Sequence, residues 1–318
     1  MLRIWFSCIL LFTLSSACTG SKYSFKSKQE QVLTRIEEQP DYLELDNIDG
    51  QYLALNTDGP SRGAFFGQAL TLAATAITEL ITLNKARHTA EYSKSEGGHN
   101  FYDRISSEGH FDPTGIQFKS FTIERVVQVK KEEALALRAT FEIDDSDPYE
   151  VVKSSSFKLR VKEFTLNYAK AMGPSTKWYN PLTWGNKTMN DKINLDIELK
   201  FIATYITKDG VVHKDVEVGQ FMLNLGSAPL NPEDPDYESY YENLIGKQLS
   251  GSSFIIPRSF GYSPDGLGGW KEIYSQGAYR IDATIKENGS VKFINKMFND
   301  YSEDFIYQGT EKVKSLID

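Results

Sequence analysis

The feature that most constrains the fold is a strict alternation of apolar and polar residues over much of the chain after Ile116. Its longest stretch has an apolar residue at every second position: Ile193, Leu195, Ile197, Leu199, Phe201, Ala203 and Tyr205. A period of two places successive side chains on opposite faces of a β-strand. The pattern therefore predicts a strand with one buried face and one wetted face, which is typical of antiparallel sheets.

Shorter stretches with the same period predict further strands. They lie at 121–129, 135–143, 157–161, 164–168, 211–225, 254–256 and 279–285. Lys208-Asp209-Gly210 is a turn signal that predicts a hairpin between the strand that ends near Tyr205 and the one that follows. The phase flip at Lys162-Glu163 predicts a β-bulge. Together these strands predict an antiparallel β-sandwich over residues 116–290, with a closed barrel as the alternative.

One short segment adds a resemblance to the fold prediction. Gly277-Ala278-Tyr279-Arg280-Ile281 is similar to a late strand of Ig-like bacterial modules. The resemblance implies that the mainly β body is an Ig-like or related sandwich.

Residues 46–115 are predicted to form a helical region with one long helix, from about Arg62 to Tyr92. Ser61 follows the breaker pair Gly59-Pro60 and can cap it. Its apolar residues keep helical spacing at Phe66, Leu70, Ala73, Ile77, Leu80 and Ile81. Gln68, Glu79 and several threonines disfavour a membrane span. We predict a helix packed on the sandwich; the alternatives are a membrane-touching or subunit-packing helix.

The first residues are predicted to form an export signal. Arg3 precedes an apolar run from Ile4 to Leu14, and small residues at 15–17 precede Cys18. The segment resembles the signal of bacterial lipoproteins, which implies removal of residues 1–17 and lipid on Cys18. Thr19, which is not Asp, implies the outer membrane in diderm bacteria. The alternative is simple secretion, since Ser15 and Ala17 also fit ordinary signal peptidase.

Cysteine usage favours the lipoprotein interpretation. The chain has two cysteines, and Cys8 lies in the predicted signal. Cys18 would be the only cysteine left, and lipidation is a good reason to retain an unpaired thiol in an exported protein. We predict a lipid-anchored tether over residues 18–45, with a reach of roughly 25 Å for about 20 residues. Residues 291–318 are predicted to be a C-terminal tail packed on the body.

Charge and composition narrow the classes of partner and chemistry. The formal net charge of −8 argues against a nucleic-acid partner. Four residues after the predicted helix could supply imidazole and carboxylate ligands to a divalent metal: His99, Asp103, His110 and Asp112. Their spacing matches no recognised zinc motif, so no cofactor is predicted and a metal site remains the alternative.

Aromatic residues beside Gly and Pro are the main candidates for ligand binding: Trp178, Tyr179, Trp184, Trp270 and Tyr274. Rings on loops bury large areas at low entropic cost and form platforms for glycans or peptides. The alternative is that they plug the ends of the sandwich.

The combined sequence prediction is an envelope lipoprotein that acts by binding. It would be a component of a cell-envelope assembly with protein partners, or a surface module that captures a glycan or peptide. No catalytic set emerges from the residues, so an enzyme is not favoured. The alternative is a metal-dependent or other hydrolase anchored at the envelope.

Overall fold

The computed structural model describes residues 23–24, 27, 29–43, 89–106, 115–146, 151, 155–171 and 192–289. Antiparallel strands dominate these residues, beside a single short named helix. The elements are β1 Glu30–Leu43, β2 Thr89–Gly98, β3 Ile116–Val129, β4 Glu132–Ile143, β5 Ser156–Phe157, β6 Leu159–Leu166, β7 Lys192–Ile206, β8 Val212–Pro229, α1 Tyr237–Glu242, β9 Ser250–Phe254, β10 Phe260–Pro264, β11 Trp270–Tyr274 and β12 Tyr279–Asn288. The protein is therefore mainly β, as the alternation predicted.

The strands form three antiparallel sheets. One has four strands in the order β1-β3-β4-β6, and a second has six in the order β2-β12-β7-β8-β9-β5. The third is the separate hairpin β10-β11.

The two large sheets contribute side chains to one hydrophobic core. Phe118 of β3 contacts Phe201 of β7 and Tyr279 of β12, with ring centroids 5.7 and 5.8 Å apart. The alternating residues Ile281, Ala283 and Ile285 of β12 are buried in the same core. The period of two thus identifies the faces that the sheets bury.

Backbone hydrogen bonds connect the two large sheets along one side. Leu249 N–H donates to Leu159 O at 2.8 Å, and Val161 N–H donates to Lys247 O at 2.9 Å. These bonds satisfy backbone groups on the free edge of β6, which would otherwise be a template for unwanted strand pairing. On the opposite side, Thr34 Oγ1 of β1 donates to Glu96 Oε2 of β2 at 2.8 Å.

The predicted hairpin and the predicted bulge are both confirmed. β7 and β8 pair around the 208–210 turn, where Gly210 has φ of +79°, the left-handed region that favours glycine. In the pairing of β4 with β6, Thr140 aligns with Glu163 and Phe141 aligns with Val161. Lys162 is therefore the extra residue, at the site of the phase flip.

Two predictions about the N-terminal third are wrong where the structure describes it. Residues 30–43 were assigned to the tether but form β1, because Val32 and Ile36 pack against the core while the strand pairs with β3. Residues 89–92 were to end the long helix but begin β2, where Tyr92 is buried and pairs with Ile285. The long helix is thus not supported; its residues 62–88 lie outside the described part of the chain.

Other predicted segments also fall outside it, including the signal, Cys18 and the tail at 291–318. Within the described ranges, no helix has the length and hydrophobicity that crossing a bilayer requires.

Candidate functional site

The hairpin β10–β11 ends in a tight, ordered turn. Asp265 N–H donates to Gly269 O at 3.0 Å. Asp265 Oδ1 accepts hydrogen bonds from the N–H groups of Leu267 and Gly269, both at 2.8 Å. These backbone donors hold the pKa of Asp265 below its usual value. Gly266 and Gly268 have positive φ angles, so the turn places Leu267 at its apex, with 94% of its surface exposed.

One face of this hairpin is aromatic. Tyr274 lies opposite Phe260 and Trp270 lies opposite Pro264 in the ladder. The Phe260 ring contacts the rings of Tyr262 and Tyr274, with centroids 5.0 and 5.5 Å apart. The rings nearer the tip are open to solvent: Tyr262 is 61% exposed and Trp270 is 70% exposed. The rings of Phe260 and Tyr274 thus lie at the end of the hairpin away from its turn. The rings of Tyr262 and Trp270 are available for contact.

Two neighbouring segments adjoin the hairpin. Lys208, in the turn between β7 and β8, forms an ion pair with Glu272 of β11 at 2.8 Å. Ile206 N–H also donates to Ser259 Oγ at 3.3 Å, just before β10. The second neighbouring segment is the one around Ser106. Ser106 N–H donates to Tyr274 O at 3.2 Å, and Tyr274 N–H donates back to Ser106 O at 2.7 Å. The hairpin, the turn between β7 and β8 and the segment around Ser106 therefore lie at the same end of the body. We refer to them as the three segments.

Exposed hydrophobic side chains are concentrated at this end. Nine large ones are exposed in the described part of the chain, and only Leu33 and Ile245 lie elsewhere. The remaining seven belong to the three segments: Ile105, Ile206, Val211, Val212, Tyr262, Leu267 and Trp270. We call these seven residues the apolar end. Exposed apolar groups are common singly, but a cluster of them marks an interaction surface.

The opposite end, which we call the base, contains a buried ionic cluster. Arg125 of β3 is fully buried; its Nη2 lies 3.5 Å from Glu287 Oε1 of β12, and its Nη1 lies 3.6 Å from Glu30 Oε2. Glu287 also accepts hydrogen bonds from Tyr92 Oη at 3.0 Å and from Ala171 N–H at 2.8 Å. Burial, and then the nearby Glu287 carboxylate, raises the pKa of Tyr92. These contacts join both large sheets.

The N-terminal segment is bound at the base. Ala169 N–H donates to Tyr23 O at 2.8 Å, and Tyr23 Oη donates to Asn231 Oδ1 at 3.0 Å. Lys170 forms an ion pair with Glu30 at the start of β1. Glu287, near the base, and Tyr279, towards the apolar end, are separated by eight residues of β12, or about 26 Å of strand. The first described residues, 23–24, therefore lie at the end opposite the exposed hydrophobic cluster.

The structure brings together two of the residues predicted to bind ligand. Trp270 and Tyr274 lie on the same face of β11, although they were predicted on a loop. Their role in binding stays a prediction. Trp178, Tyr179 and Trp184 lie outside the described residues.

The predicted metal ligands are only partly described. His99 is exposed just after β2, and Asp103 is half-buried beside Gly115. His110 and Asp112 lie outside the described ranges. Among the residues that the structure describes, no three His, Cys, Asp or Glu side chains are grouped as a metal site would require.

One carboxyl group is strongly perturbed elsewhere in the molecule. Burial raises the pKa of Asp196 on β7 to about 7, although Lys286, its neighbour in register on β12, opposes the shift. Asp196 lies on the six-stranded sheet near the base, so it is not part of the apolar end.

Sequence reasoning missed most of the apolar end. Leu267 is an isolated apolar residue in Gly266-Leu267-Gly268-Gly269, and Val211 and Val212 resemble the start of any strand. A large apolar residue between glycines in a turn is the local signal that could have identified Leu267. The proximity of the two turns depends on tertiary contacts that no local pattern contains.

Comparison of the chain with protein-family models, curated proteins and solved structures gives no match.

Proposed function

We propose that this protein is an envelope lipoprotein that acts by binding, with lipid on Cys18 at its base and its partner at the apolar end. The single observation that carries the proposal is the concentration of exposed hydrophobic side chains at the end opposite the bound N-terminal segment. Thr19 after the cysteine favours the outer membrane as the site of anchorage. The partner is a component of the envelope or a ligand that this surface captures.

The proposed anchor would hold the base close to the membrane. Cys18 precedes Tyr23 by five positions, and five residues span at most ~18 Å. Tyr23 is hydrogen-bonded to the body, so the linker is shorter than the tether predicted from composition. A short linker favours an orientation in which the apolar end points away from the anchoring membrane.

The proposal includes the arrangement of the layers. The four- and six-stranded sheets share one core through contacts such as Phe118 with Phe201. This arrangement supports an aligned β-sandwich, Ig-like or related, with the apolar end formed by connections at one end of the sheets. Binding residues on strand connections, positioned by a rigid sandwich, are a common arrangement.

The exposed surface of the apolar end is large enough to contribute to the free energy of binding. Full burial of one large apolar side chain contributes roughly 1.5–3 kcal/mol. Seven such side chains, already partly covered, would contribute on the order of 5–10 kcal/mol in total, before the cost of association is subtracted. Micromolar binding requires a net of about 8 kcal/mol, so after the cost of association is subtracted these seven side chains alone would support only weaker binding.

Photo-crosslinking in cells tests the proposal. A benzoylphenylalanine residue in place of Tyr262 should form adducts at least about fivefold more often than the same residue in place of Ile245. Ile245 is a matched control because it is also exposed, at 48%, but lies away from the apolar end. Equal adduct yields at the two positions would refute binding at the apolar end. Mass analysis of the adducts then gives the chemical class of the partner.

A further inference from the structure

We infer that the partner of the apolar end is a lipid bilayer surface other than the one that holds Cys18, so that the protein bridges two membranes. This inference rests on the proposed function and specifies its partner. It depends on three features of the apolar end: its shape, the order of its side chains and its charge.

The shape of the apolar end is convex. Leu267 stands at the apex of a hairpin turn, and the neighbouring Gly266 and Gly268 would have nothing within 4 Å of an added Cβ atom. The second turn carries Val211 and Val212, both exposed. Protein and small-ligand sites are usually flat or concave, so that they surround what they bind. Projecting apolar side chains are suited to a lipid bilayer, because fluid lipid can surround them.

The side chains follow the order of a bilayer interface. Behind Leu267 at the apex, the ladder places the exposed Trp270 first, the exposed Lys271 next and the exposed Tyr262 one position further from the tip. Aliphatic side chains favour the acyl region, while Trp and Tyr favour the interface. Lysines extend to the phosphates with their stems along apolar surface. A hairpin that entered tip first would place Leu267 in the acyl region and Trp270, Lys271 and Tyr262 together in the interface.

The carboxylates at this end are compatible with shallow insertion only. Asp265 Oδ1 accepts two backbone hydrogen bonds inside the turn, which leaves Leu267 as the projecting side chain. Asp209 in the second turn accepts a hydrogen bond from Thr207, which lowers its pKa and keeps it charged. The second turn is therefore expected at the headgroup level. Since the net charge is −8, apolar insertion and not attraction to anionic lipid would drive binding.

Vesicle capture tests this inference. The mature protein, with the acyl mass on Cys18 verified by intact-mass spectrometry, is reconstituted into phosphatidylcholine donor vesicles. Fluorescent protein-free phosphatidylcholine vesicles are then added, and their co-sedimentation with the donors is measured. We expect capture by the wild type and a loss of about tenfold or more for Leu267→Ser combined with Trp270→Ser, because both side chains leave the apolar layer. Ile245→Ser, the matched control, should capture like the wild type.

Each contrary outcome has a distinct meaning. No capture by wild type, or equal capture by the double variant, would overturn the lipid partner. Capture that requires phosphatidylglycerol in the acceptor vesicles would overturn apolar insertion as the driving force, since charge would then drive adsorption to the bilayer. If capture fails while position 262 still crosslinks to a protein in cells, the partner is a protein and the proposed binding function survives. If position 262 crosslinks no better than position 245, the proposed function fails too.

Discussion

Glu287→Ala should lower the free energy of unfolding by about 3–5 kcal/mol, the usual effect of removing one partner from a buried ion pair. The buried Arg125 would keep its charge and lose the carboxylate that lies 3.5 Å away. Tyr92 and the N–H group of Ala171 would lose their acceptor at the same time. Since a domain is typically stable by only 5–15 kcal/mol, this loss would be a large fraction of the total stability.

Urea unfolding followed by fluorescence measures the effect. Glu163→Ala is the matched control, because Glu163 also pairs with an arginine, Arg138, at 3.3 Å, but is half exposed. The control should change stability by less than about 1 kcal/mol. If the two variants were equally stable, the buried cluster would not hold the sheets together.

Phe118→Ala should cost a similar amount, about 3–5 kcal/mol, because it opens a cavity at the junction of the two large sheets. Phe118 is fully buried and contacts the rings of Phe101, Phe201 and Tyr279. Removal of its ring takes contacts from both sheets at once. The loss should appear as a lower urea midpoint with an unchanged denaturant slope.

Tyr262→Ala provides the comparison for this core variant. Tyr262 is also aromatic but lies at the apolar end with most of its surface exposed. Its replacement should leave stability nearly unchanged. A loss below about 1 kcal/mol for Phe118→Ala would mean that the sheets do not share the core described above.

Local pattern predicted the strands whose buried face is uniformly apolar. The β7–β8 hairpin has a long alternation and a glycine at its turn, and the bulge at Lys162 leaves a visible change of phase. β1 and β2 escaped prediction because their sequences are polar. Tyr92 is the one hydrophobic side chain of β2 that is buried, and Val32 and Ile36 of β1 are only half-buried. β1 and β2 therefore depend for their stability on pairing with β3 and β12.

The candidate site was predictable only in part, for a related physical reason. Trp270 was identified because a large ring beside a Gly-rich stretch is unusual in any fold. The placement of Leu267 and Val212 at the same end follows from the way two distant turns meet, and this contact includes the ion pair between Lys208 and Glu272. Arg125 was likewise missed: the alternation puts it on the same buried face as Ile123 and Val127, but no local pattern shows which carboxylate a buried arginine will meet.

Hydroxyl-radical footprinting of the protein in its native membranes tests the central claim most directly. Oxidation of Leu267, Trp270 and Tyr262 is measured by mass spectrometry and compared with the purified protein. Leu33 and Ile245, the exposed hydrophobic residues outside the apolar end, serve as internal references. Binding at the apolar end predicts that the first three residues oxidise at least about fivefold more slowly in the native membrane, while the two references keep their rates. Unchanged oxidation of Trp270 and Leu267 in the native membrane would contradict it.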